Sequence, residues 1–217
     1  MKCAPHPGSA GPRPARASPV ASPTPSATLS ASPSATVRAA GHCWLREPAG
    51  DDLVAIEAWF ANPAANQWFD FGQGRQSLPM HALRAMLLGG RHYLRVFGEA
   101  PRAEACGLVA VNDVTHPFAS GSFWVLRDPL CHARPGITCD ASVCILREVF
   151  KQYGLRSVSA WAVECNVRSQ RLLTRVGFRR IGLQRYCHRL DGQYVGRILY
   201  DLVPAELDDG RWTSCSA

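Results

Sequence analysis

The sequence predicts a mixed α/β domain in which a mostly antiparallel sheet carries helices on both faces. Three observations lead to this fold class. Three strand-like runs follow one another between residues 92 and 126, and strand and helix patterns alternate after them. Near the end of the chain, Asp191-Gly192 separates two alternating runs. This pair indicates a hairpin, because both residue types tolerate a positive φ.

The first part of the domain is predicted to hold a short strand and two helices. The strand spans residues 42–45. Asp51 is expected to cap the first helix, over residues 51–61, and Pro79 to lie in the first turn of the second, over residues 79–88. The inner face of the first helix consists of three apolar side chains, Leu53, Ile56 and Phe60.

The loop between these helices, residues 66–77, is polar and contains glycine, yet it carries Trp68, Phe69 and Phe71. Aromatic side chains in such a loop either line a site or pack against the core. The sequence leaves both interpretations open. It is also compatible with this loop forming the interface of a homodimer.

The central part is predicted to contain an antiparallel meander with strands at residues 92–97, 106–115 and 118–126. A loop bounded by proline, residues 128–136, leads to a helix from about Thr138 to Tyr153. This helix presents an apolar stripe made of Ala141, Ile145, Leu146, Val149 and Phe150.

The last part is predicted as strand, helix and hairpin. Residues 157–165 are rich in β-formers, and Asn166 is a favourable N-cap for a helix over Val167 to Val176. Gly177 is expected to end this helix. Two strands then follow, Arg179 to Leu190 and Gln193 to Leu202.

One spacing in this last part is more specific than its secondary structure. It resembles the acyl-CoA-binding helix of the GNAT N-acyltransferases, especially the branch that acetylates the N-termini of ribosomal proteins. The resemblance covers roughly Trp44 to Leu207 and is strongest from Ser157 onward. The residues that carry it are Asn166, Ser169, Leu172, Leu173, Val176, Gly177 and Phe178.

The resemblance implies a GNAT-like fold and an acetyl-CoA-dependent N-acetyltransferase. The acetyl group would pass directly to a primary amine, on a peptide N-terminus or a small molecule, without a covalent enzyme intermediate. By position in the family, the backbone around Val125 and Leu126 would hold the acetyl carbonyl.

The family binds the diphosphate of coenzyme A at the helix N-terminus that follows the 128–136 loop. Backbone N–H groups and the helix dipole hold an anion there. The resemblance assigns this role to Gly136, Ile137 and Thr138, with Arg134 and His132 as nearby donors. The loop departs from the family pattern, because Ala133 replaces Arg or Gln, Thr138 replaces the second glycine, and one extra residue is present. A tight turn without a ligand is the alternative.

By resemblance, Asn166 contacts the pantetheine arm and the Ser169 hydroxyl lies near the thioester sulfur, where it can protonate the departing thiolate. The alternatives are a simple N-cap and a satisfied first-turn hydroxyl. Many relatives have a tyrosine four residues after the position of Ser169. Here that residue is Leu173, so Ser169 is the remaining candidate for a general acid on this helix.

The attacking amine also needs a proton acceptor, because an ammonium group has no lone pair. Glu164 at the end of its predicted strand is the first candidate. Asp113 and His116, at the end of theirs, are further candidates. No motif supports any of the three.

Residues 1–40 differ from the rest of the chain in composition. They contain eight of the 16 prolines, many Ser and Ala, and no acidic residue, so they bury too little apolar surface to offset the entropy of ordering. We interpret them as a disordered extension or as the product of a start site placed too far upstream. An Arg- and Ser-rich transit peptide is the alternative. Residues 41–207 then form the domain, and residues 208–217 a short flexible tail.

The formal net charge of +7 is divided unevenly. Residues 1–40 carry +4, which leaves +3 on the remaining 177 residues. This charge is small for a nucleic-acid-binding surface. No apolar run approaches the roughly 18 residues of a membrane span, and no secretory signal pattern is present, so we expect a cytoplasmic protein without a membrane partner.

The nine cysteines include no C-x-x-C pair, and Cys131-His132 and Cys187-His188 lack zinc-site spacing. We therefore expect scattered buried thiols and no metal.

Two alternatives to an acetyltransferase remain open. One is a binding module that has lost turnover, as the irregular loop and Leu173 suggest. The other is a transferase with another acyl donor, such as an aminoacyl-tRNA.

Overall fold

The computed structural model describes residues 37–38 and 42–207. Val37–Arg38 was predicted to belong to the disordered extension, but it forms a short strand that pairs with the next one. The remainder of that predicted extension, and the predicted flexible tail over residues 208–217, lie outside the described residues.

The described residues form one eight-stranded mixed sheet in the order β1-β2-β3-β4-β5-β6-β8-β7. All neighbouring strands are antiparallel except β5 and β6, which are parallel. The strands are β1 Val37–Arg38, β2 Cys43–Arg46, β3 His92–Glu99, β4 Ala105–Asn112, β5 Ser120–Arg127, β6 Ser157–Val163, β7 Arg179–Leu190 and β8 Gln193–Leu202.

Five α-helices accompany the sheet within the described residues. The longest, α4, has 17 residues, and within the described part of the chain no helix has the length and apolar character needed to cross a membrane. The helices are α1 Gly50–Ala61, α2 Pro63–Asn66, α3 Met80–Leu88, α4 Ile137–Tyr153 and α5 Val167–Val176, followed by a 3-10 turn at Pro204–Glu206.

Two apolar cores cover the two faces of the sheet. Helices α1 and α3 pack on one face, where Leu108 and Ala110 of β4 are buried. Helices α4 and α5 pack on the other, where Val109 and Val111 of the same strand are buried. Alternate residues of one strand thus contribute to opposite cores, as the period of a β-strand requires. This arrangement confirms the predicted fold class.

The first helix begins differently from the prediction. Ala49, not Asp51, occupies the N-cap position, and α1 starts at Gly50. Asp52 stabilises this end, because its Oδ2 accepts from the Ala49 N–H at 2.7 Å and its carboxylate pairs with Arg46. An acid in the third helical position returns to the cap backbone in this way, which the prediction of a capping Asp51 overlooked.

The first helix ends at Ala61 as predicted, but a short helix that was not predicted follows it, and the start of α3 differs from the prediction. Asn62 ends α1 but also caps the short helix α2, since its Oδ1 accepts from the Ala64 N–H at 2.9 Å. Pro79 is the N-cap residue of α3 and not part of its first turn. Both changes are local, and the inner face of α1 is buried as predicted.

The turn between β4 and β5 is longer than predicted. Asp113 has a φ of 58° and Ala119 a φ of 51°. Because a left-handed residue interrupts an extended backbone, β4 ends just before Asp113 and β5 begins just after Ala119. Phe118, predicted to begin β5, lies in the turn and is 80% exposed. β6 likewise ends at Val163, two residues earlier than predicted.

The end of the chain matches the prediction closely. Asn166 caps α5, with its side-chain oxygen accepting from the Ser169 N–H at 3.1 Å, and α5 runs from Val167 to Val176. Asp191 and Gly192 have φ values of 48° and 79° in the turn between β7 and β8. Local sequence signals therefore specify both features.

Gly177 ends α5 in a conformation that other residues rarely adopt, with a φ of 115°. A Cβ atom at this position would lie 2.6 Å from the carbonyl oxygen of Glu206. We expect Gly177→Ala to lower the free energy of unfolding by about 1–3 kcal/mol, measured by urea denaturation. Gly182→Ala is the matched control, because Gly182 lacks a left-handed φ and has open space around it. Equal stability of the two variants would contradict the prediction.

Candidate active site

The sheet opens between β5 and β6. These parallel strands pair only where Ser120, Gly121 and Ser122 face Ser157, Val158 and Ser159. Beyond this point β6 continues to pair with β8, whereas β5 continues to pair with β4. The two strands therefore diverge, and the gap between them belongs to a cleft of about 1260 Å³.

Residues from both faces of the sheet line this cleft. On one face lie the 128–136 loop, the start of α4 and one surface of α5, which we call the α4–α5 side. On the other face lies a group that we call the aromatic side, consisting of Trp68, Phe69, Asp70, Phe71, Trp124 and Trp161. The diverging strands separate the two sides.

The N-terminus of α4 lies at the cleft, as the sequence predicted. Gly136 is its N-cap, with a φ of 95°. Among the described residues, the backbone N–H groups of Gly136 and Thr138 donate to no protein acceptor, whereas the Ile137 N–H contacts the Arg134 carbonyl oxygen at 3.5 Å. Ile137 is fully buried. Two of the three predicted amides can thus bind an anion at the positive end of a helix.

Arg134, predicted as a ligand-binding donor, is engaged within the protein. Its guanidinium pairs with the buried Asp140, and its Nε lies 3.7 Å from Glu99 Oε1. The Arg134 N–H also donates to Glu99 Oε2 at 3.3 Å. Burial raises the pKa of Asp140, and Arg134 opposes that rise. Arg134 holds the loop in place and is not among the residues that line the cleft.

Other cations line the cleft in its place. Arg127 at the end of β5 donates to Thr138 Oγ1 at 3.1 Å, beside the α4 amides. Arg168, Arg171 and Arg175 project from α5 on the same side. Their spacing of three and four residues puts them on one helix face, a stripe of arginines that the interpretation of the sequence missed. His132 lines the cleft as expected.

Asn166 and Ser169 both line the cleft. The Asn166 oxygen is used for capping α5. The Ser169 hydroxyl is half-buried and has no hydrogen-bond partner among the described residues, so it can act on a bound molecule. Leu173 is buried one turn further along and also lines the cleft, so the position where many relatives have a tyrosine is apolar here.

The candidate proton acceptors differ in position. Glu164 is exposed outside the cleft, and its Oε1 accepts from the Gly196 N–H at 2.7 Å, so the carboxylate fastens β6 to β8. His116 lies in the β4–β5 turn, where its Nδ1 accepts from the Phe118 N–H at 3.2 Å. Only Asp113 lines the cleft, and it pairs with Arg91 at 2.8 Å. Glu164 and His116 are therefore not among the residues that line the cleft with Ser169.

Val125 and Leu126 lie on the diverging part of β5 and line the cleft. Val125 packs toward the α4–α5 core and Leu126 toward the opposite core. The edge of β5 that faces β6 has no strand partner beyond Ser122, so its backbone there is available to a bound molecule.

The aromatic side is a compact cluster. Phe69 and Phe71 are stacked with ring centroids 5.5 Å apart, and each meets Trp124 edge to face, at 6.0 and 5.5 Å. The Trp124 Nε1–H donates to Asn112 Oδ1 at 3.1 Å, which fixes the indole ring. These aromatic residues line the cleft and also pack on the α1 core through Phe60.

A buried polar network supports this side from behind. Arg197 donates to Asp70 Oδ2 at 2.6 Å, and its guanidinium lies 4.1 Å from the centre of the Trp161 ring. Burial opposes ionisation of Asp70, but the bond from Arg197 and two backbone N–H groups bring its pKa below the usual range. His188 donates through Nε2 to the Gln67 carbonyl oxygen at 2.7 Å and accepts from Arg197 through Nδ1. Burial lowers the pKa of His188, which keeps it neutral.

The cysteines in the described residues are not in disulfides, and four of them are buried. Burial raises the pKa of Cys43 and of Cys106 to about 12, so these two thiols stay protonated. Cys131 and Cys139 contribute to the lining of the cleft. No group of three or more potential metal ligands is found among residues 42–207.

Comparison with solved structures shows the same fold. RimJ from Mycobacterium smegmatis, in complex with CoA-disulfide, is 21% identical over 80% of this chain and 88% of its own, with a TM-score of 0.64. Spermidine N-acetyltransferase from Vibrio cholerae, in complex with CoA and spermine, is 16% identical over 76% and 98%, with a TM-score of 0.67. Ribosomal-protein-S5-alanine acetyltransferase from Vibrio fischeri is 18% identical over 80% and 99%, with a TM-score of 0.64.

Comparison by sequence is more specific about the family. No curated protein matches the chain. The model of the acetyltransferase (GNAT) domain matches residues 42–179, which is more than half of the chain and includes the diverging strands and both helices of the α4–α5 side. The chain therefore belongs to the GNAT acetyltransferase family.

Proposed function

We propose that this protein transfers an acetyl group from acetyl-CoA to a primary amine. One observation carries the proposal. The cleft between β5 and β6 joins an open helix N-terminus, suited to a diphosphate, to an aromatic side on the opposite face of the sheet. A thioester between these two sides is accessible to an amine from the aromatic side.

The α4–α5 side supplies groups for each part of the donor. The Gly136 and Thr138 amides and the α4 dipole are suited to the diphosphate, with Arg127 beside them. The arginines of α5 provide further positive charge along the same side. The unpaired edge of β5 at Val125 and Leu126 would orient the acetyl carbonyl.

The residues of the cleft suggest a direct transfer. The nitrogen lone pair of the amine attacks the thioester carbonyl, the C–S bond breaks, and the sulfur leaves as a thiolate. Both Ser169 and Asp113 line the cleft. We assign to Ser169 the proton that the thiolate takes up, and to Asp113, through water, the proton that the amine loses. We do not assign this second role to Glu164, since its carboxylate is bonded to Gly196 outside the cleft.

The acceptor belongs to the class of primary amines on peptide N-termini or small molecules. The structural neighbours include a ribosomal-protein acetyltransferase and a spermidine acetyltransferase, so fold similarity does not choose between these acceptors.

We place the reaction in the cytoplasm, in keeping with cysteines that are not in disulfides among the described residues. A homodimer through the loop at residues 66–77 stays a prediction. Phe69 and Phe71 of that loop pack against the apolar core of their own chain.

Donor binding can be tested by calorimetry with a series of ligands. Acetyl-CoA is expected to bind the folded full-length chain. S-acetylpantetheine, which lacks the diphosphate, is expected to bind about 100-fold more weakly, since charge-assisted bonds to backbone amides contribute about 1.5–3 kcal/mol each. Absence of acetyl-CoA binding by a protein shown to be folded would remove the proposed function. Equal binding of both ligands would remove the assignment of the α4 amides.

Ser169→Ala tests the proton donor. Because the hydroxyl is needed when the thiolate leaves, we expect kcat, measured as thiol release with an amine acceptor, to fall by about 100-fold. The dissociation constant for acetyl-CoA should be unchanged. Ser159→Ala is the control, since Ser159 lies in the paired part of β6 and bonds to the Gly121 carbonyl oxygen. A drop of the same size in both variants would count against a specific role for Ser169.

Asp113→Asn and Glu164→Gln form a matched pair of isosteric variants that distinguishes the two carboxylates. Only the first is expected to lower kcat/KM for the amine, by about 100-fold at neutral pH and less as the pH rises and more of the amine is already neutral. The pH profile of kcat/KM measures this. The opposite result, with Glu164→Gln as the impaired variant, would show that the proton leaves by another route.

A further inference from the structure

We propose that the aromatic side selects an acceptor amine that is attached to an apolar or aromatic group, and that it rejects polyamines. This inference rests on the proposed function and defines its acceptor class. It follows from the position, the packing and the charge balance of the residues on that side of the cleft.

Strand alternation shows that the aromatic side lies across the sheet from the donor groups. Phe123 and Val125 of β5 pack toward the α4–α5 core, so Trp124 between them faces the other way and packs with Phe69 and Phe71. Ala160 and Ala162 of β6 also contribute to the α4–α5 core, which directs Trp161 to the same face as Trp124. An acceptor that approaches from this face meets indole and phenyl rings first.

The rings form a surface that is already in place. The rings of Phe69, Phe71 and Trp124 contact one another, and each also contacts the buried ring of Phe60. Trp124 is also fixed by its bond to Asn112. A preformed apolar surface gains affinity for an apolar group because little ordering is needed on binding.

The acidic residues of the cleft do not offer a second site for a cation. Three aspartates are found among its described lining residues. Asp70 is paired with Arg197, and Asp113 is paired with Arg91. Asp128 Oδ1 accepts a hydrogen bond from the Leu130 N–H at 2.8 Å. A polyamine needs carboxylates for the charges that are not acetylated. Of these three, Asp113 is assigned to the attacking amine and Asp128 belongs to the loop on the α4–α5 side, which leaves Asp70, and Asp70 is already paired with Arg197.

Arg197 also lies against one ring of the aromatic side. Its side chain is 12% exposed and its guanidinium covers one face of the Trp161 ring. That face of the ring is therefore occupied by a cation from the protein, so a second ammonium group of a ligand finds less attraction there. Arg197 thus acts as a specificity-determining residue through Asp70 and Trp161, without contacting the acceptor.

The experiment compares acceptors at saturating acetyl-CoA. Its probes are 2-phenylethylamine, a short peptide with N-terminal phenylalanine, n-butylamine and spermidine. We expect kcat/KM for at least one aromatic probe to exceed that for spermidine by about 10-fold or more, with n-butylamine between them. The first two probes separate a small-molecule acceptor from a peptide. A kcat/KM for spermidine that equals or exceeds those of both aromatic probes would overturn the inference while leaving the proposed function intact.

Two variants test the residues behind the selectivity. Arg197→Met leaves the Asp70 carboxylate without its partner, and we expect it to shift the ratio of kcat/KM values about 10-fold toward spermidine. Phe71→Ala should lower kcat/KM for the aromatic probes more than for n-butylamine. Val54→Ala, at an exposed position of α1, is the control for both. Unchanged ratios in folded Arg197→Met and Phe71→Ala variants that still bind acetyl-CoA would overturn the inference.

A binding measurement covers the case in which no probe is turned over. Calorimetry of the complex with CoA should detect 2-phenylethylamine or the peptide, and a weaker signal with spermidine. If the CoA complex binds none of the probes, or spermidine most tightly, the inference fails. If acetyl-CoA itself does not bind, the proposed function fails first, so the two failures are distinguishable.

Discussion

The separation of β5 from β6 is the constraint on which the rest of this structure depends. A parallel pair that stays in register would fill the centre of the sheet with hydrogen bonds and leave no passage between its faces. Here the pairing ends at Ser122 and Ser159, and each strand keeps its other neighbour, β4 or β8. The sheet therefore remains continuous while one internal edge of β5 is open. Every group assigned to the donor or to the acceptor borders this opening.

Two helix N-termini meet at the opening, and they serve different purposes. α5 is capped by Asn166, whose side-chain oxygen accepts from the Ser169 N–H, and it contributes side chains to the cleft. α4 begins at Gly136 without a side-chain cap, so its first amides remain for a ligand. Arg134 and Asp140 tie the preceding loop to the helix, which keeps these amides in position. Despite its altered sequence, the irregular loop thus leads into a helix whose first amides are open, as the proposed diphosphate site requires.

Local sequence signals were enough to predict the helices and strands. Hydrogen bonds and ion pairs between side chains that are distant in the sequence could not be predicted. Asn166 could be assigned because a cap contacts residues only three positions away. Arg197 pairs with Asp70, which is 127 residues distant, and no pattern links them. Glu164 looked like a base because it ends a strand near Asn166. Its carboxylate turns instead to Gly196 on β8, a contact that depends on strand order.

The division of the cleft also addresses how a thioester is kept from water. Amides and arginines on the α4–α5 side are suited to the charged end of the donor and tolerate solvent. On the other face, Trp124 and Trp161 flank the gap through which the acetyl group would be reached. Rings at that position offer an apolar surface, and an apolar group of the acceptor that covers it would displace water from the gap. Selection of an apolar acceptor and protection against hydrolysis would then follow from the same surface.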